Sequence, residues 1–486
     1  MYDLAIIGAG PAGMAAAETA SKHGMHVVII DEQDRAGGQI LRRPPTQFSV
    51  REWLPQRVYR HLHALYARFT ELKHLTHLSN TSVLGITSSD DSFVLQVLKT
   101  SGLEELSASK VLIATGCFDM PLSFTGAQLP GVMATGGLQA FLKSQQIVPG
   151  ARFLFVGSHP LQLIVANQIA SAGGDVAGVV FTQRLSTMLS VLRSPLVMLR
   201  QLPNMLFILA VVLKLMAKRV PLRFGSQLVR AEGNNRLQRV HLRAGNKSAT
   251  KQIVECDRLG LCFSFLTNND LFRQAGGRCE WSKKSGGWVA SHDDGMRSSV
   301  TGLYVAGETA GVAGANVAYM EGCLAALSAG LDAGKLSQSD YLRESAKVRR
   351  PLKTARAFAS ILSQISYPGD ALIADAMTDD AYLCKCEEVT VGSVNKTLAD
   401  NPDVCDLNAL KLLTRCGMGH CQGRYCHYQS RFLLARNRGL APETLGGFTA
   451  RFPAKPTTIK DLLGAQLQTT NDKTVNRTDK SSKESK

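Results

Sequence analysis

The N-terminal segment YDLAIIGAGPAGMAAAETASKHGMHVVIIDEQ leaves little freedom in how the chain begins to fold. Apolar LAII reads as a buried parallel strand, the glycines as a tight turn, the run opened by Pro11 as a helix, and VVII as a second strand. Each glycine has its own task. Gly8 permits the turn, Gly10 lets a pyrophosphate approach the backbone, and Gly13 allows the helix to lie close on the strand. Phosphates would then rest on the helix N-terminus, where free N–H groups and the macrodipole favour negative charge. Asp31 stands eighteen residues after Gly13, where a carboxylate accepts hydrogen bonds from ribose hydroxyls. Glu32, beside it in the same corner, is one step out of phase and expected to face solvent. The whole strand–turn–helix–strand–acid context predicts a dinucleotide-binding unit, where a lone G-x-G-x-x-G would be weak.

Three further segments resemble those of FAD-binding proteins. RAGGQI, with Gly38 and Gln39, is similar to the Gly-Gly turn that touches the adenosine ribose and pyrophosphate. VLIATG, ending in Thr115 and Gly116, looks like the turn that closes an FAD domain. TGLYVAGETAGVAGANVAYMEG resembles the strand–Gly–acid segment whose carboxylate bonds the ribityl chain, here Gly307 and Glu308, before a helix aimed at the flavin ring. Most relatives of that fold carry Asp at the acidic position; Glu308 is one methylene longer and still an acceptor. The resemblance implies FAD as the ligand.

Between these halves, RFLFVGSHPLQLIVANQIASAGGDVAGVVF repeats the strand–turn–helix–strand rhythm. It resembles the second nucleotide domain of two-domain flavoprotein reductases, but its turn is damaged. Gly157 survives, while His159 and Gln162 replace the second and third glycines and carry Cβ atoms where a pyrophosphate and a close helix would lie. Ordinary NAD(P)H binding is therefore not expected, although an altered pocket could still take a mononucleotide, and His159 reads as a turn residue rather than a base.

Near the C-terminus, LCKCEEVT supplies Cys384 and Cys386, and GMGHCQGRYC supplies Cys421 and Cys426. Thiolates are soft donors that suit iron bridged by sulfide, and two close pairs can each hold one iron of a [2Fe–2S] unit. Four thiolates also suit a closed zinc site, but C-x-C is tight for chelating one tetrahedral ion. Cys416 lies five residues before Cys421, as Cys421 does before Cys426, so spacing alone leaves two candidate second pairs. DLNALKLLTR, in the gap, predicts a helix that brings the pairs together.

CKCEEVT followed by LTRCGMGHCQGRYC resembles the bacterioferritin-associated-ferredoxin-like [2Fe–2S] module. That module also ends anaerobic glycerol-3-phosphate dehydrogenase and the larger subunits of opine oxidase, hydrogen cyanide synthase and hydroxyproline or proline dehydrogenases. Carried over residue by residue, the resemblance implies Cys384, Cys386, Cys421 and Cys426 as ligands and puts Cys416 at a variable position. ATGCFDMPLSFTGAQLPGVMATGGLQAFLK is similar to a further stretch of the same larger subunits, so the resemblance covers nearly the whole chain.

Composition agrees with several cores. The 486 residues are 45% hydrophobic, and a chain of this length suggests about three domains. Eleven cysteines, and an N-terminus without a basic n-region, predict a reducing, cytoplasmic setting without structural disulfides. No C-x2-C or C-x4-C occurs among Cys117, Cys256, Cys262, Cys279 and Cys323, which argues against disulfide reduction; these and Cys405 read as small buried hydrophobes. His420 and His427 read as exposed loop histidines. The net charge of +16 raises nucleic acid as a partner, yet no recognition helix, zinc finger or aromatic-basic platform accompanies it. The apolar run Met205–Leu213 within LRSPLVMLRQLPNMLFILAVVLKLMAKR is far short of the ~20 residues that span a bilayer. That stretch predicts a long helix packed on the insert or on another subunit, with peripheral contact at the inner face of the cell membrane as the alternative.

The expected fold class is thus α/β: a flavoprotein with two Rossmann-like dinucleotide-binding domains and a small C-terminal helical [2Fe–2S] domain. Its boundaries are 1–122 and 288–333 for the FAD-binding domain, 123–287 for the insert, 334–378 for a helical connector and 379–440 for the cluster module. An extension, 441–486, is disordered from about residue 469 by its polar composition. The resemblance implies the larger subunit of a heteromeric dehydrogenase. Its smaller FAD-dependent partner, with an amino-acid-oxidase-like fold, would oxidise a C–N bond in an opine, D-amino acid, imino acid or glycine, and electrons would leave through this chain to a quinone or redox carrier. The rival reading is a self-sufficient NAD(P)H-dependent FAD oxidoreductase. No nucleophile–base pair stands out, so no catalytic residue is named.

Overall fold

Two parallel sheets, one inserted into the other, organise the molecule. A computed structural model describes residues 1–44, 56–89, 91–244 and 250–463; the tail expected to be disordered lies outside them. The outer sheet has the strand order Leu303–Val305, Val111–Ile113, Leu4–Ile7, Val27–Ile30, Leu75–Leu78, parallel throughout. The first four strands in this order are continuous apolar runs because both faces are covered. On one face lie helices Pro11–Lys22 and Ala315–Asp332, so close that a Cβ on Gly322 would sit 2.0 Å from the Ala12 carbonyl oxygen. On the other, an antiparallel sheet of Ser82–Ser88, Phe93–Lys99 and Gly102–Ala108 packs Val83, Phe93 and Leu95 against Ala5, Val28 and Ile113.

The inner sheet is also parallel, in the order Leu222–Phe224, Asp175–Phe181, Arg152–Gly157, Arg258–Cys262, Val132–Ala134. The chain enters this insert through Cys117–Asp119 and leaves through Phe265–Thr267, and those two strands pair antiparallel as a narrow bridge.

After the outer sheet closes, a connector helix, Gln338–Ser366, runs back across both units. Ser337 caps it, its hydroxyl accepting from the Asp340 N–H at 3.1 Å. Arg356 fixes its middle to the buried Glu321 of helix Ala315–Asp332 at 2.7 Å. The C-terminal module follows: a short hairpin, Tyr382–Cys384 with Val389–Thr390, and helices Val391–Asp400, Leu407–Thr414 and His427–Arg438. Asp406 caps the second of these through the N–H groups of Asn408 and Ala409, which is where DLNALKLLTR predicted a helix. Leu383 and Leu433 share one apolar core with Leu154, Val156 and Phe263, so the module packs on the inner sheet.

The basic apolar stretch is not one long helix. Prolines divide it into Pro195–Arg200 and Leu202–Ala217, since Pro195 and Pro203 fit only a first helical turn. Met198, Val211 and Leu215 are buried, while Leu192, Leu196, Leu199, Leu206, Leu209 and Leu213 are exposed, each by half or more. Among the described residues, no helix is long and apolar enough to cross a membrane.

Candidate functional site

The glycine turn carries two kinds of glycine. At Gly8, φ is +105° and a Cβ would meet the Ala114 carbonyl oxygen at 2.3 Å; at Gly13, it would meet the Gly8 carbonyl oxygen at 1.8 Å. Both are demanded by the protein itself. Gly10 differs: it begins helix Pro11–Lys22 with φ −73°, and the nearest atom to a Cβ there is the Gly38 Cα at 3.9 Å. The protein leaves room for a side chain that the sequence withholds, as a backbone approached by a dinucleotide requires. Gly38, at φ +58°, faces Gly10 across this gap, and Gly37 holds the second turn in place by donating to the Ala9 carbonyl at 2.7 Å.

Asp31 ends the second strand. One carboxylate oxygen accepts from the Ala9 N–H at 2.5 Å and the other from the Gln33 N–H at 2.8 Å, so the acid fastens the glycine turn and keeps further lone pairs for another donor. Glu32 is half exposed and paired with Lys455 from the C-terminal segment. The Gln39 carbonyl accepts from Lys143, whose burial pushes its pKa down to about 8. At the far end of the cleft, Thr115 donates to the Asn268 carbonyl at 2.5 Å, and the Gly116 N–H donates to the Thr309 hydroxyl at 3.0 Å. The Gly307 N–H donates to Glu321 at 2.9 Å. Glu308 turns toward the following helix: it accepts from the Gly314 N–H at 2.7 Å and from the Cys117 thiol at 3.4 Å, and burial raises its pKa. The elements thus bring the N-terminal and the 301–322 segments to one cleft.

The second turn is filled. His159 lies with its ring edge-on to Phe265 at 5.0 Å, and the enclosure of that ring lowers its pKa to about 4. The Ser158 hydroxyl lies within hydrogen-bond distance of the carbonyls of Phe263 and Ser366, with one proton to donate to either, and Gln183 donates to those of Ser158 and Ile365 at 2.9 and 2.6 Å. The end of the connector helix therefore occupies the mouth of the turn, at the carboxyl ends of the inner strands where a nucleotide phosphate binds in open α/β sheets.

The C-terminal thiols gather in one place. Cys384, Cys416 and Cys426 are buried; Cys416 and Cys426 hydrogen-bond to Cys384, whose thiolate is favoured by those two thiols and by the Gly417 and Glu387 N–H groups. Cys386 and Cys421 hydrogen-bond to each other nearer the surface. Gly419 presses on Cys386, a Cβ there lying 2.2 Å from the cysteine Cβ. The four residues expected as ligands are together, and Cys416, which its spacing left ambiguous, touches Cys384. Among the described residues, no three His, Cys, Asp or Glu side chains are arranged to hold a metal ion. The donor chemistry, clustered thiols with backbone N–H groups aimed at sulfur, fits iron–sulfur ligation.

Two smaller expectations need correction. Cys405 is exposed, because it sits on the loop before helix Leu407–Thr414. His427 is no loop residue: it opens helix His427–Arg438, stacks on Phe448 at 4.9 Å, and burial drives its pKa to about 3. Sequence reasoning missed Gln429, which grips the segment entering the insert by accepting from the Ser123 N–H at 2.6 Å and donating to the Pro121 carbonyl at 3.0 Å.

Residues 2–322 match the family model described as pyridine nucleotide-disulphide oxidoreductase. The chain belongs to this family. As a member it is an oxidoreductase, and similarity extends well past the matched region. It is 30% identical to one of the subunits of opine oxidase from Agrobacterium tumefaciens over 471 residues, covering 95% of this chain and 91% of the relative. It is 30% identical to hydrogen cyanide synthase subunit HcnB of Pseudomonas aeruginosa over 462 residues, 93% of this chain and 96% of the relative. The crystal structure of L-proline dehydrogenase from P. horikoshii shares its fold with a TM-score of 0.68 at 21% identity, covering 95% of this chain and 79% of that one.

Proposed function

We propose that this chain is the FAD- and [2Fe–2S]-containing electron-transfer subunit of a heteromeric dehydrogenase or oxidase that acts on the C–N bond of an opine, D-amino acid, imino acid or glycine. The observation that carries this reading is the filled second turn. With Ile365 and Ser366 across Ser158 and Gln183, the insert offers no berth to a nicotinamide dinucleotide, so electrons reach the FAD cleft from another source. The names of the relatives, each one component of a larger enzyme, support a partner protein in that role. A smaller FAD-dependent subunit with an amino-acid-oxidase-like fold is the partner we propose, and a quinone or redox carrier the acceptor.

In this reading, Gly10 and the N-terminus of helix Pro11–Lys22 hold the pyrophosphate, Gly38 walls it, Asp31 takes the ribose, and Glu308 faces the ribityl chain. Cys384, Cys386, Cys421 and Cys426 hold the irons. FAD converts two-electron to one-electron transfer, and the cluster carries single electrons. Gln429 and the connector keep the cysteine module and the insert in fixed register beside the FAD domain.

The exposed leucine row supports a location at the inner face of the cell membrane. Between Asp175 and Glu232 the chain has no acidic residue, while Arg184, Arg193, Arg200, Lys214, Lys218 and Arg219 accompany the leucines. Apolar side chains at helical spacing, flanked only by cations, match an anionic lipid surface.

The test is anaerobic stopped-flow bleaching of the flavin. The isolated chain is expected to stay oxidised with NADH, NADPH and amines, and to be reduced by a C–N substrate once the smaller subunit is added. Fast bleaching by either nicotinamide would overturn the reading in favour of a self-sufficient reductase. Anaerobic protein should also hold about two irons and two sulfides per chain. Cys421→Ser should lose them and Cys416→Ser largely keep them, and the opposite pattern would reassign the ligands.

A further inference from the structure

Past helix His427–Arg438 the chain leaves the cysteine module and returns to the corner where the cofactor cleft begins. Gln422 and Arg424, which stand between Cys421 and Cys426, donate to the carbonyls of Pro453 and Ala454 at 3.2 and 3.1 Å. The Ala454 N–H donates to the Leu84 carbonyl at 2.7 Å, and its side chain is buried in one core with Val28 and Ile30. The backbone is thus fixed on both sides immediately ahead of Lys455.

Lys455 reaches the residues just past strand Val27–Ile30. Its ammonium pairs with Glu32 and, among the described residues, with no other carboxylate. Burial lowers its pKa, and the nearby Asp31 carboxylate opposes that shift. The side chain is still 33% exposed, so a ligand entering the corner can touch it.

Holding a lysine in one place costs rotamer freedom and some hydration, and a half-open ion pair returns little of either. An ammonium has three N–H groups, and Glu32 leaves some of them for another oxygen. Asp31 shows which oxygen fits. A carboxylate takes the protons of a ribose diol but cannot fill the lone pairs of its hydroxyl oxygens, whereas an ammonium only donates. Side by side, the two groups match both sides of a hydroxyl. The lysine charge also offsets Asp31 and Glu32, two carboxylates that would otherwise repel the pyrophosphate admitted at Gly10.

Taking the cleft as the FAD site of the proposed function, we propose that Lys455 is a further binding residue for the adenosine half of the cofactor, donating to its ribose hydroxyls. The site opened by the N-terminal motif is then completed from the C-terminal segment.

The experiment follows FAD release from the full chain on dilution, read as the rise in flavin fluorescence. Lys455→Met keeps the apolar stem without the charge and should release FAD about tenfold faster, the loss expected for one charge-assisted hydrogen bond. Lys455→Arg, which keeps a donor and the charge, should stay within about twofold of the wild type. Melting temperatures separate this role from a structural clasp: added to Gly10→Val, which should hold no FAD, Lys455→Met should change nothing. Unaltered release in Lys455→Met, or release from Lys455→Arg as fast as from Lys455→Met, would overturn the assignment. So would a fall in melting temperature as large in the Gly10→Val background as in the FAD-bound chain. FAD retained by Gly10→Val would instead overturn the cleft reading itself, whatever Lys455 does.

Discussion

Gly10 and Gly13 look alike in the motif and differ in what they serve. Gly10→Val sets its Cβ at an ordinary contact distance of 3.9 Å from the Gly38 Cα, so the variant should melt like FAD-free wild-type protein while its FAD content falls to near zero. Gly13→Ala drives a Cβ into the Gly8 carbonyl and should destabilise the protein itself by about 2 kcal/mol or more. Flavin content and thermal melts on the two variants separate these outcomes. His159 offers a second test. Its pKa is about 4 in the fold against an ordinary 6.5, so the unfolded chain binds the extra proton first as pH falls. Stability from this residue is complete above pH 6.5 and is lost downward to about pH 4, by about 3 kcal/mol for an imidazole held neutral over that interval. His159→Gln should flatten that part of the stability–pH curve.

Elements differed in how far the sequence disclosed them. The first strand–turn–helix–strand unit was legible because its signals are local: apolar runs, glycine spacing and Asp31 lie within one short stretch. The damaged turn was equally legible at His159 and Gln162, but its occupant was not, since Ser366 lies 208 residues from Ser158 and nothing in ASILSQIS marks it as a plug. Lys455 read as one more residue of a C-terminal extension, for only the tertiary fold brings it to Glu32. The prolines that break the leucine-rich stretch were visible, yet its hydropathy suggested a single helix. For that element we expect flotation with vesicles containing anionic lipid, weakened by salt and by Leu199→Glu or Leu206→Glu. Binding indifferent to lipid charge and to both substitutions would instead leave the leucine row to a protein partner.

At the scale of the molecule, long-range polar contacts reinforce the apolar core that the module shares with the insert: Gln429 on Pro121 and Ser123, Ser366 on Ser158, and, from the connector to the outer-sheet unit, Arg356 on Glu321. The two close thiol pairs were readable from their spacing, whereas the contact of Cys416 with Cys384 was not, because only the fold brings the loop after helix Leu407–Thr414 to the hairpin that carries Cys384. The nesting of the sheets also fixes an order in time. The inner sheet receives its last strand at Arg258–Cys262, while the outer sheet still waits for Leu303–Val305 to reach Val111–Ile113. A chain leaving the ribosome N-terminus first can therefore complete the inserted unit while the surrounding one is open along Val111–Ile113, and the surrounding unit, begun first, is finished second.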